Sequence, residues 1–197
     1  MSHLEEFRRA LNEDVVEASR LLLGLTMAVG EHRAKIVEAE AYGPTDPGCH
    51  AFRGETPRLR AMFGAPGFAY VYFTYGNHWM LNVSALPEGT PAAILIRAAR
   101  PLTDPAPLYA NRAKAKRDRD LLSGPGKLCA AYGIDARHYG LNFFDAESEI
   151  QLLAGEPPGD IVVGTRIGLA PGKGDDYLWR FWDRAEQEYV SRPLTFS

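Results

Sequence analysis

The segment FAYVYFTYGNHWMLNVSA, residues 68–85, constrains the fold most, because its residues alternate in character on both sides of the turn sequence Tyr75-Gly76-Asn77. A period of two is typical of a strand with one buried face, and a Gly-Asn pair between two such strands is typical of a hairpin. The apolar face of the two strands carries Val71, Phe73, Trp79, Leu81 and Val83. The opposite face carries Tyr70, Tyr72, His78, Met80, Asn82 and Ser84. The sequence therefore predicts an antiparallel hairpin with two chemically different faces and Tyr75 at its bend.

Further strands are predicted on both sides of the hairpin. IVEAEAY (36–42) alternates, and PAAILIRAARP (91–101) is an apolar strand that Pro101 ends. The last third of the chain, from Gly155 onward, reads as strand-like pieces between turns, of which TRIGLA (165–170) and LWRFWD (178–183) are the most apolar.

Three helices are predicted beside these strands. VVEASRLLLG (15–24) has helical spacing, Asn12 or Asp14 can cap it, and Gly24 suits the position past its end. TPRLRAMF (56–63) and LLSGPGKLCAAYGI (121–134) supply the other two. We therefore expect an α+β fold, a single domain over residues 1–197 built on a curved antiparallel sheet or open barrel with flanking helices.

Composition limits the partners and the location. A chain of 197 residues with 46% hydrophobic content can bury a sizeable core, and its net charge of −3 neither indicates nor excludes a nucleic-acid partner. No apolar run can span a bilayer, and the charged start is unlike a secretory signal, so we expect a soluble cytoplasmic protein without membrane contact. The two cysteines, Cys49 and Cys129, form neither a CxxC nor a Cys/His cluster, and we expect no metal and no cofactor.

The strand IVEAEAY and the loop GPTDPGCH that follows it gather titratable groups. The alternation predicts that Val37, Ala39 and Ala41 pack inward and that the other face carries Glu38, Glu40 and Tyr42. One interpretation is a solvated acidic face. The other is a site, because the stiff proline- and glycine-rich loop can hold His50 over the strand.

Tyr75 also has two interpretations, since a large aromatic residue at a tight bend either packs locally or inserts into a partner. Side chains that insert between base steps unstack a duplex, and enzymes that act on a base hold the extruded base between aromatic side chains. Tyr42, Tyr72 and His50 can form such walls. One ionised glutamate can then position a water and stabilise a developing oxocarbenium ion when a sugar–purine bond breaks.

The most basic segment is ANRAKAKRDRD (110–120). Its cations can neutralise phosphates or form a solvated face; they are Arg112, Lys114, Lys116, Arg117 and Arg119. Lys127 is similarly placed, beside a Gly-Pro-Gly turn whose helix can offer free N–H groups to a phosphate.

Several runs together resemble the alkyladenine (3-methyladenine) DNA glycosylase family in its compact bacterial form. In order, they are VEAEAY, CHAFRGETPRLRAMF, YVYFTYGNHWMLNVS, ILIRAARP, RDLLSGPGKLCAAYGI, TRIGL and LWRF. The resemblance implies a barrel-like fold related to a domain of a tRNA formyltransferase. It also implies a monomeric, monofunctional DNA glycosylase of base excision repair, acting at the bacterial nucleoid. Its implied substrates in double-stranded DNA are 3-methyladenine, hypoxanthine, ethenoadenine and 7-methylguanine.

The resemblance also implies roles for single residues. Glu40 is the implied general base, and Arg97 helps to hold the extruded nucleotide near the catalytic water. Tyr42, His50 and Tyr72 are the implied base pocket. Asn82 would crowd the exocyclic amino group of guanine, and Tyr75 would be the DNA wedge. Glu38 receives no role, and Asn77 is polar where some relatives have a larger apolar residue.

Three alternatives stay open from the residues alone. Glu38 and Glu40, about 7 Å apart on one strand face, could serve a hydrolase of ordinary sugars. GPGKLCAAYGI with Asp145 is similar to helix-hairpin-helix glycosylases, which are almost entirely helical, whereas half of this chain alternates like strand. The third is a nucleic-acid-binding module without chemistry, whose binding would survive Glu40→Gln with no catalysis to lose.

The wedge hypothesis predicts that Tyr75→Ala slows base excision from duplex DNA steeply while the protein stays folded. The expected loss is a few kcal/mol of flipped-state stability, roughly the cost of unstacking one base step. The loss should be smaller when the lesion lies in a mismatch or bulge that is already partly unstacked. Equal slowing on both substrates, or an unfolded variant, would show that Tyr75 only packs.

Overall fold

A computed structural model gives the positions of residues 1–74 and 76–191. Eight strands in this part of the chain form one open antiparallel sheet, with the order β3-β4-β5-β2-β1-β6, and β8 pairs with β2 and with β7. The strands are β1 Thr26–Val29, β2 His32–Tyr42, β3 Ala69–Thr74, β4 His78–Ala85, β5 Ala92–Pro101, β6 Ile150–Leu153, β7 Ile161–Gly164 and β8 Arg180–Asp183. The predicted α+β class with a curved antiparallel sheet is confirmed, and the sheet contradicts the all-helical alternative.

Strand β2 lies at the centre of the sheet because it has three partners. β5 pairs with residues 34–42, β1 pairs with residues 32–35, and β8 pairs with residues 38–40. Glu38 and Glu40, the two glutamates of β2, have no exposed surface. The interpretation of this strand as a solvated acidic face was therefore wrong.

A β-bulge interrupts the alternation within β2. The pairing with β5 shifts between Ile36 and Glu38 and again between Glu38 and Ala39. The main core cluster therefore takes Ile36, Ala39 and Ala41 from this strand, while Val37 is buried outside that cluster. The strict alternation that placed Val37 with Ala39 and Ala41 was wrong at this point, because a bulge changes which side chains share a face.

Four α-helices flank the sheet in the described residues: α1 His3–Ala10, α2 Val15–Leu22, α3 Arg60–Phe63 and α4 Pro125–Tyr132. Asp14 rather than Asn12 caps α2, since its carboxylate accepts the N–H groups of Val16 and Glu17. Gly24 has φ +86°, and a Cβ there would lie 2.2 Å from the carbonyl oxygen of Glu156, so only glycine fits. Helix α1 was not predicted.

Two predicted elements differ from the structure in type. TPRLRAMF forms a 3₁₀ turn, Pro57–Leu59, followed by the single α turn α3, and Thr56 makes no side-chain cap. TRIGLA is not a strand; residues 165–170 have no regular hydrogen-bonded structure. Its apolar residues face a cavity described below rather than a neighbouring strand.

Hydrophobic side chains pack on both faces of the sheet, in two clusters. The larger cluster includes buried residues of α1, α2 and α4 together with the apolar face of the hairpin. A smaller cluster on the tyrosine side of the hairpin joins Tyr70 and Tyr72 to the loop before it, through Cys49, Leu59 and Met62. The predicted hairpin faces are therefore confirmed for Val71, Leu81 and Val83 on one side and for Tyr70 and Tyr72 on the other, whereas Phe73 is exposed. None of the helices within residues 1–74 and 76–191 combines the length and the apolar character that a membrane span requires.

Candidate active site

A cavity of about 430 Å³ opens on the tyrosine side of the hairpin. Five of the residues singled out in the sequence line it: Tyr42, His50, Tyr72, Asn82 and Arg97. They come from β2, the following loop, β3, β4 and β5, so four strands and one loop meet here. The volume falls within the range of small-ligand pockets and suits one flat ring system.

Aromatic rings form one side of the cavity. The His50 and Tyr72 rings contact edge to face with centroids 4.6 Å apart, and Tyr70 stacks on Tyr72 at 5.3 Å. Tyr70 itself is buried, and its hydroxyl lies 2.9 Å from His50 Nδ1. The loop thus holds His50 over the sheet, as the proline- and glycine-rich sequence suggested.

His50 keeps some exposed surface, but its environment favours the neutral imidazole. Burial lowers its pKa, and the positive charge of Arg58 lowers it further. A neutral imidazole that accepts the Tyr70 proton at Nδ1 carries its own proton on Nε2. We expect Tyr70 to be this donor, since burial raises the pKa of its hydroxyl far above the ordinary value.

Glu40 lies directly behind the cavity wall and has no exposed surface. Its Oε2 accepts hydrogen bonds from the Tyr42 hydroxyl at 2.8 Å and from Arg97 Nη1 at 3.1 Å. Its Oε1 accepts the backbone N–H of Ile167 at 2.8 Å. Burial and the neighbouring Glu40 charge hold the pKa of Tyr42 well above its usual value, so that hydroxyl stays protonated and donates.

Arg97 links the two glutamates of β2. Its Nε donates to Glu38 Oε1 at 3.1 Å, while Nη1 reaches Glu40. Burial alone would lower the pKa of Arg97, but the charges of Glu40 and Glu38 outweigh it, and the net pKa is raised. Arg97 is therefore a permanent cation on the cavity wall between two carboxylates.

Glu38 is neutralised from a second direction. Arg180 Nε donates to its Oε1 at 2.6 Å, and Ser191 donates its N–H to Oε2 and its hydroxyl to Oε1. Both oxygens of Glu38 are thus engaged, and of these donors only Arg97 lines the cavity. This arrangement does not resemble the two accessible carboxylates that a hydrolase of ordinary sugars uses.

Asn82 is buried, and its amide donates to the backbone carbonyl of Tyr70 at 3.0 Å. The hydrogen bond fixes the amide plane on the cavity wall. An oriented amide presents a fixed pattern of donor and acceptor atoms to a ligand.

The predicted DNA-contacting residues lie in different settings. Lys114, Lys116 and Lys127 are exposed. Arg112 is half-buried, with Nη2 3.4 Å from the carbonyl oxygen of Asp120. Arg117 and Arg119 form exposed ion pairs within the protein. Tyr75, the predicted wedge, lies outside the described residues.

Helix α4 connects the basic region to the cavity. Pro125, its first residue, lines the cavity. At Gly126 a Cβ would lie 2.9 Å from the His78 ring, so the helix start packs closely on the hairpin. Lys127 is in this first turn, with Nζ 3.4 Å from Ser123 Oγ.

Sequence reasoning missed several residues around Glu40. Ile167, Gly168 and Leu169 line the cavity from the segment that was taken for a strand. Ser191 reaches Glu38 from near the end of the described chain. A backbone N–H in an irregular segment leaves no signal in a sequence, which explains the omission of Ile167.

In the described residues, no three His, Cys, Asp or Glu side chains are grouped so that they could hold a metal ion.

Comparisons with a family model and with individual proteins point to the same family. The family model of methylpurine-DNA glycosylase (MPG) matches residues 9–187. A Rhodopseudomonas palustris protein is 45% identical over 189 residues, which covers 95% of this chain and 90% of that protein. Proteins of Burkholderia lata and Rhodococcus jostii are 43% and 38% identical, over 88% and 91% of this chain and 84% and 80% of their own lengths. Each of the three is named "Putative 3-methyladenine DNA glycosylase".

The lowered pKa of His50 predicts a pH dependence of stability. As the pH falls below about 6.5, the ordinary value for histidine, the unfolded state binds a proton that folded His50 does not accept. Folding should therefore lose stability in this range, whereas above it His50 contributes no slope. Urea unfolding at pH 7.5 and pH 5.5 should show a smaller loss for His50→Gln than for the wild type. Equal losses would contradict a lowered pKa of His50 in the folded protein.

Proposed function

Because this chain belongs to the methylpurine-DNA glycosylase family, we propose that it is a monofunctional enzyme of base excision repair. It flips alkylated or deaminated purines out of duplex DNA, hydrolyses the N-glycosidic bond and leaves an intact abasic site. The proposed substrates are 3-methyladenine, hypoxanthine, ethenoadenine and 7-methylguanine. Residues 1–197 act as one domain and as a monomer, on the DNA of a bacterial nucleoid and without a cofactor.

The observation that supports this proposal most is the position of Glu40. A buried carboxylate with donors on both oxygens lies immediately behind a ring-sized, aromatic cavity. Burial makes the interaction of such a carboxylate with a developing positive charge strong, since little water screens it. The arrangement suits a reaction that creates positive charge on a ring inside the cavity, as the cleavage of a sugar–purine bond does.

The extruded purine would enter between Tyr42 on one side and His50 with Tyr72 on the other. Flat rings stack on aromatic side chains whatever their substituents, so the stack accepts several damaged purines. The Nε2–H of neutral His50 is available as a donor to a ring nitrogen or exocyclic oxygen. Asn82, held by Tyr70, would disfavour guanine by crowding its exocyclic amino group. 7-Methylguanine meets the same crowding, but its positive charge in DNA makes it a better leaving group than guanine.

Glu40 would then act as general base. It accepts a proton from a water that attacks the anomeric carbon, and its charge stabilises the oxocarbenium ion. Arg97 balances the charge of Glu40 and holds the flipped nucleotide near that water. 3-Methyladenine and 7-methylguanine are cationic in DNA and leave as neutral bases, so one carboxylate suffices for them where ordinary glycoside hydrolysis uses two. Hypoxanthine and ethenoadenine are neutral in DNA, and each takes up a proton from solvent as its bond to the sugar breaks.

Duplex DNA would lie across the hairpin and the start of α4. Tyr75 fills the gap left by the flipped nucleotide, and exposed Lys114, Lys116 and Lys127 with Arg112 contact the phosphates. Since phosphate contacts release counterions, affinity should fall with added salt.

The catalytic role of Glu40 is tested by Glu40→Gln, which removes the base and the charge but keeps the shape. Duplexes that each contain one of the four lesions are incubated with protein, and abasic sites are cleaved with alkali. We expect base release to be lost, by at least about 100-fold, with affinity for lesion DNA within about tenfold of the wild type.

Glu13→Gln is the matched control, because Glu13 is exposed and the chemical change is the same. It should release bases at the wild-type rate. Unimpaired excision by Glu40→Gln would remove Glu40 from its role. Wild-type protein that binds DNA but releases none of the four bases would contradict the proposed function.

A monofunctional enzyme uses water and forms no Schiff base with the sugar. Without alkali, we expect lesion DNA to stay unnicked, and borohydride to trap no covalent protein–DNA adduct. Activity should persist in EDTA. A trapped adduct, or loss of activity in EDTA that Mg²⁺ or Zn²⁺ restores, would contradict this part of the proposal.

A further inference from the structure

Arg166 is a buried side chain that joins three segments around the candidate site. Its guanidinium has no exposed surface. Nη1 donates to the carbonyl oxygen of Ala41 at 2.9 Å and to Asp46, and Nη2 donates to Asp46 Oδ1 at 2.8 Å and to the Gly174 carbonyl at 3.0 Å. One group thus fixes the end of β2, the loop that follows it and residue 174 near the other end of the chain.

The surroundings of Arg166 leave it little freedom. Its Cζ lies 4.6 Å from the centroid of the Tyr42 ring and 5.4 Å from that of Trp179. A Cβ at Gly48 or Gly174 would approach Nη2 to 3.1 Å or 2.6 Å. The backbone therefore packs directly on the guanidinium, and the position of that group determines where the loop runs.

Two donors to Glu40 depend on this arrangement. Tyr42 follows Ala41, its ring rests on the Arg166 guanidinium, and its hydroxyl donates to Glu40 Oε2. Ile167 follows Arg166, and its N–H donates to Glu40 Oε1. Both Tyr42 and Ile167 line the cavity, whereas Arg166 does not.

We propose that Arg166, paired with Asp46, is a positioning residue that sets the geometry between the Glu40 carboxylate and the Tyr42 wall. The inference rests on the proposed function, because it concerns how that site is held. Arg166 touches neither base nor water, and its effect passes through Tyr42 and Ile167. A displacement of about 1 Å in such a site can cost about 100-fold in rate.

Stability and positioning can be separated experimentally. A buried ion pair can often be replaced by apolar residues of similar volume without loss of stability. An apolar side chain, however, cannot replace the hydrogen bonds that the planar guanidinium of Arg166 donates to Ala41, Asp46 and Gly174. Lysine keeps the charge of Arg166 but lacks the planar fork of donors. Asp46→Leu with Arg166→Met, and Arg166→Lys alone, therefore test positioning in two independent ways.

The experiment measures single-turnover excision at saturating protein, using the lesion that the wild-type protein releases fastest. Affinity is measured separately on a duplex with a tetrahydrofuran abasic-site analogue, and folding by circular dichroism. For both variants we expect the single-turnover rate constant to fall about 10- to 100-fold, with affinity within about threefold of the wild type.

Arg184→Met is the matched control, because Arg184 also pairs with an aspartate, Asp160, but more than half of each side chain is exposed. It should match the wild type in rate and affinity. A purely structural role for Arg166 gives a different result: a smaller active fraction with an unchanged rate constant, or equal losses of rate and affinity. Either result, or failure of both Arg166 variants to fold, would overturn the proposal.

Failure of the proposed function gives a separate signature. If the wild-type protein releases no base, the proposed function fails before any variant is compared. If the wild type releases bases and the folded Arg166 variants do so equally fast, the function stands and only the positioning role is wrong.

Discussion

The structure depends on the neutralisation of two carboxylates in the middle of its sheet. Glu38 and Glu40 lie on β2 without exposed surface, and a buried charge without partners would cost several kcal/mol. Arg97 from β5 and Arg180 from β8 supply two positive charges, so the cluster is neutral overall. These arginines come from the two strands that pair with β2 on either side of Glu38. The order of the strands therefore places one arginine on each side of β2, where the two buried carboxylates need a positive charge.

The same cluster explains why the site draws on distant parts of the chain. Ile167 and Ser191 reach Glu40 and Glu38 across more than 120 positions in the sequence. Arg166 reaches Ala41 and Asp46 over a similar separation. Hydrogen bonds from backbone N–H groups cannot be made until both segments are in place. The irregular segment with Ile167 and the end of the described chain are thus joined to β2 by long-range hydrogen bonds.

The sequence predicts the parts of this structure that local patterns determine. The hairpin, β5, α2 and α4 follow from alternation, apolar spacing and caps, and each lies where those signals place it. Strands β1 and β6 were missed because four-residue strands are too short to show a period. Val37 and TRIGLA were misassigned because a bulge and a buried irregular segment depend on long-range contacts. Arg166 was missed because nothing in a sequence distinguishes a buried arginine from an exposed one.

Glu38 and Glu40 show most clearly what only three-dimensional contacts determine. They are the same residue type, two positions apart, and they share Arg97. Glu38 also accepts from a second arginine, Arg180, and twice from Ser191, and neither of these residues lines the cavity. Glu40 instead accepts from Tyr42 and Ile167, which are themselves walls of the cavity. A charge that develops in the cavity is therefore separated from Glu40 only by that thin wall, whereas the charge of Glu38 is already matched by its own ion pairs. The difference in donors, and not the identity of the residue, makes Glu40 the better candidate for chemistry.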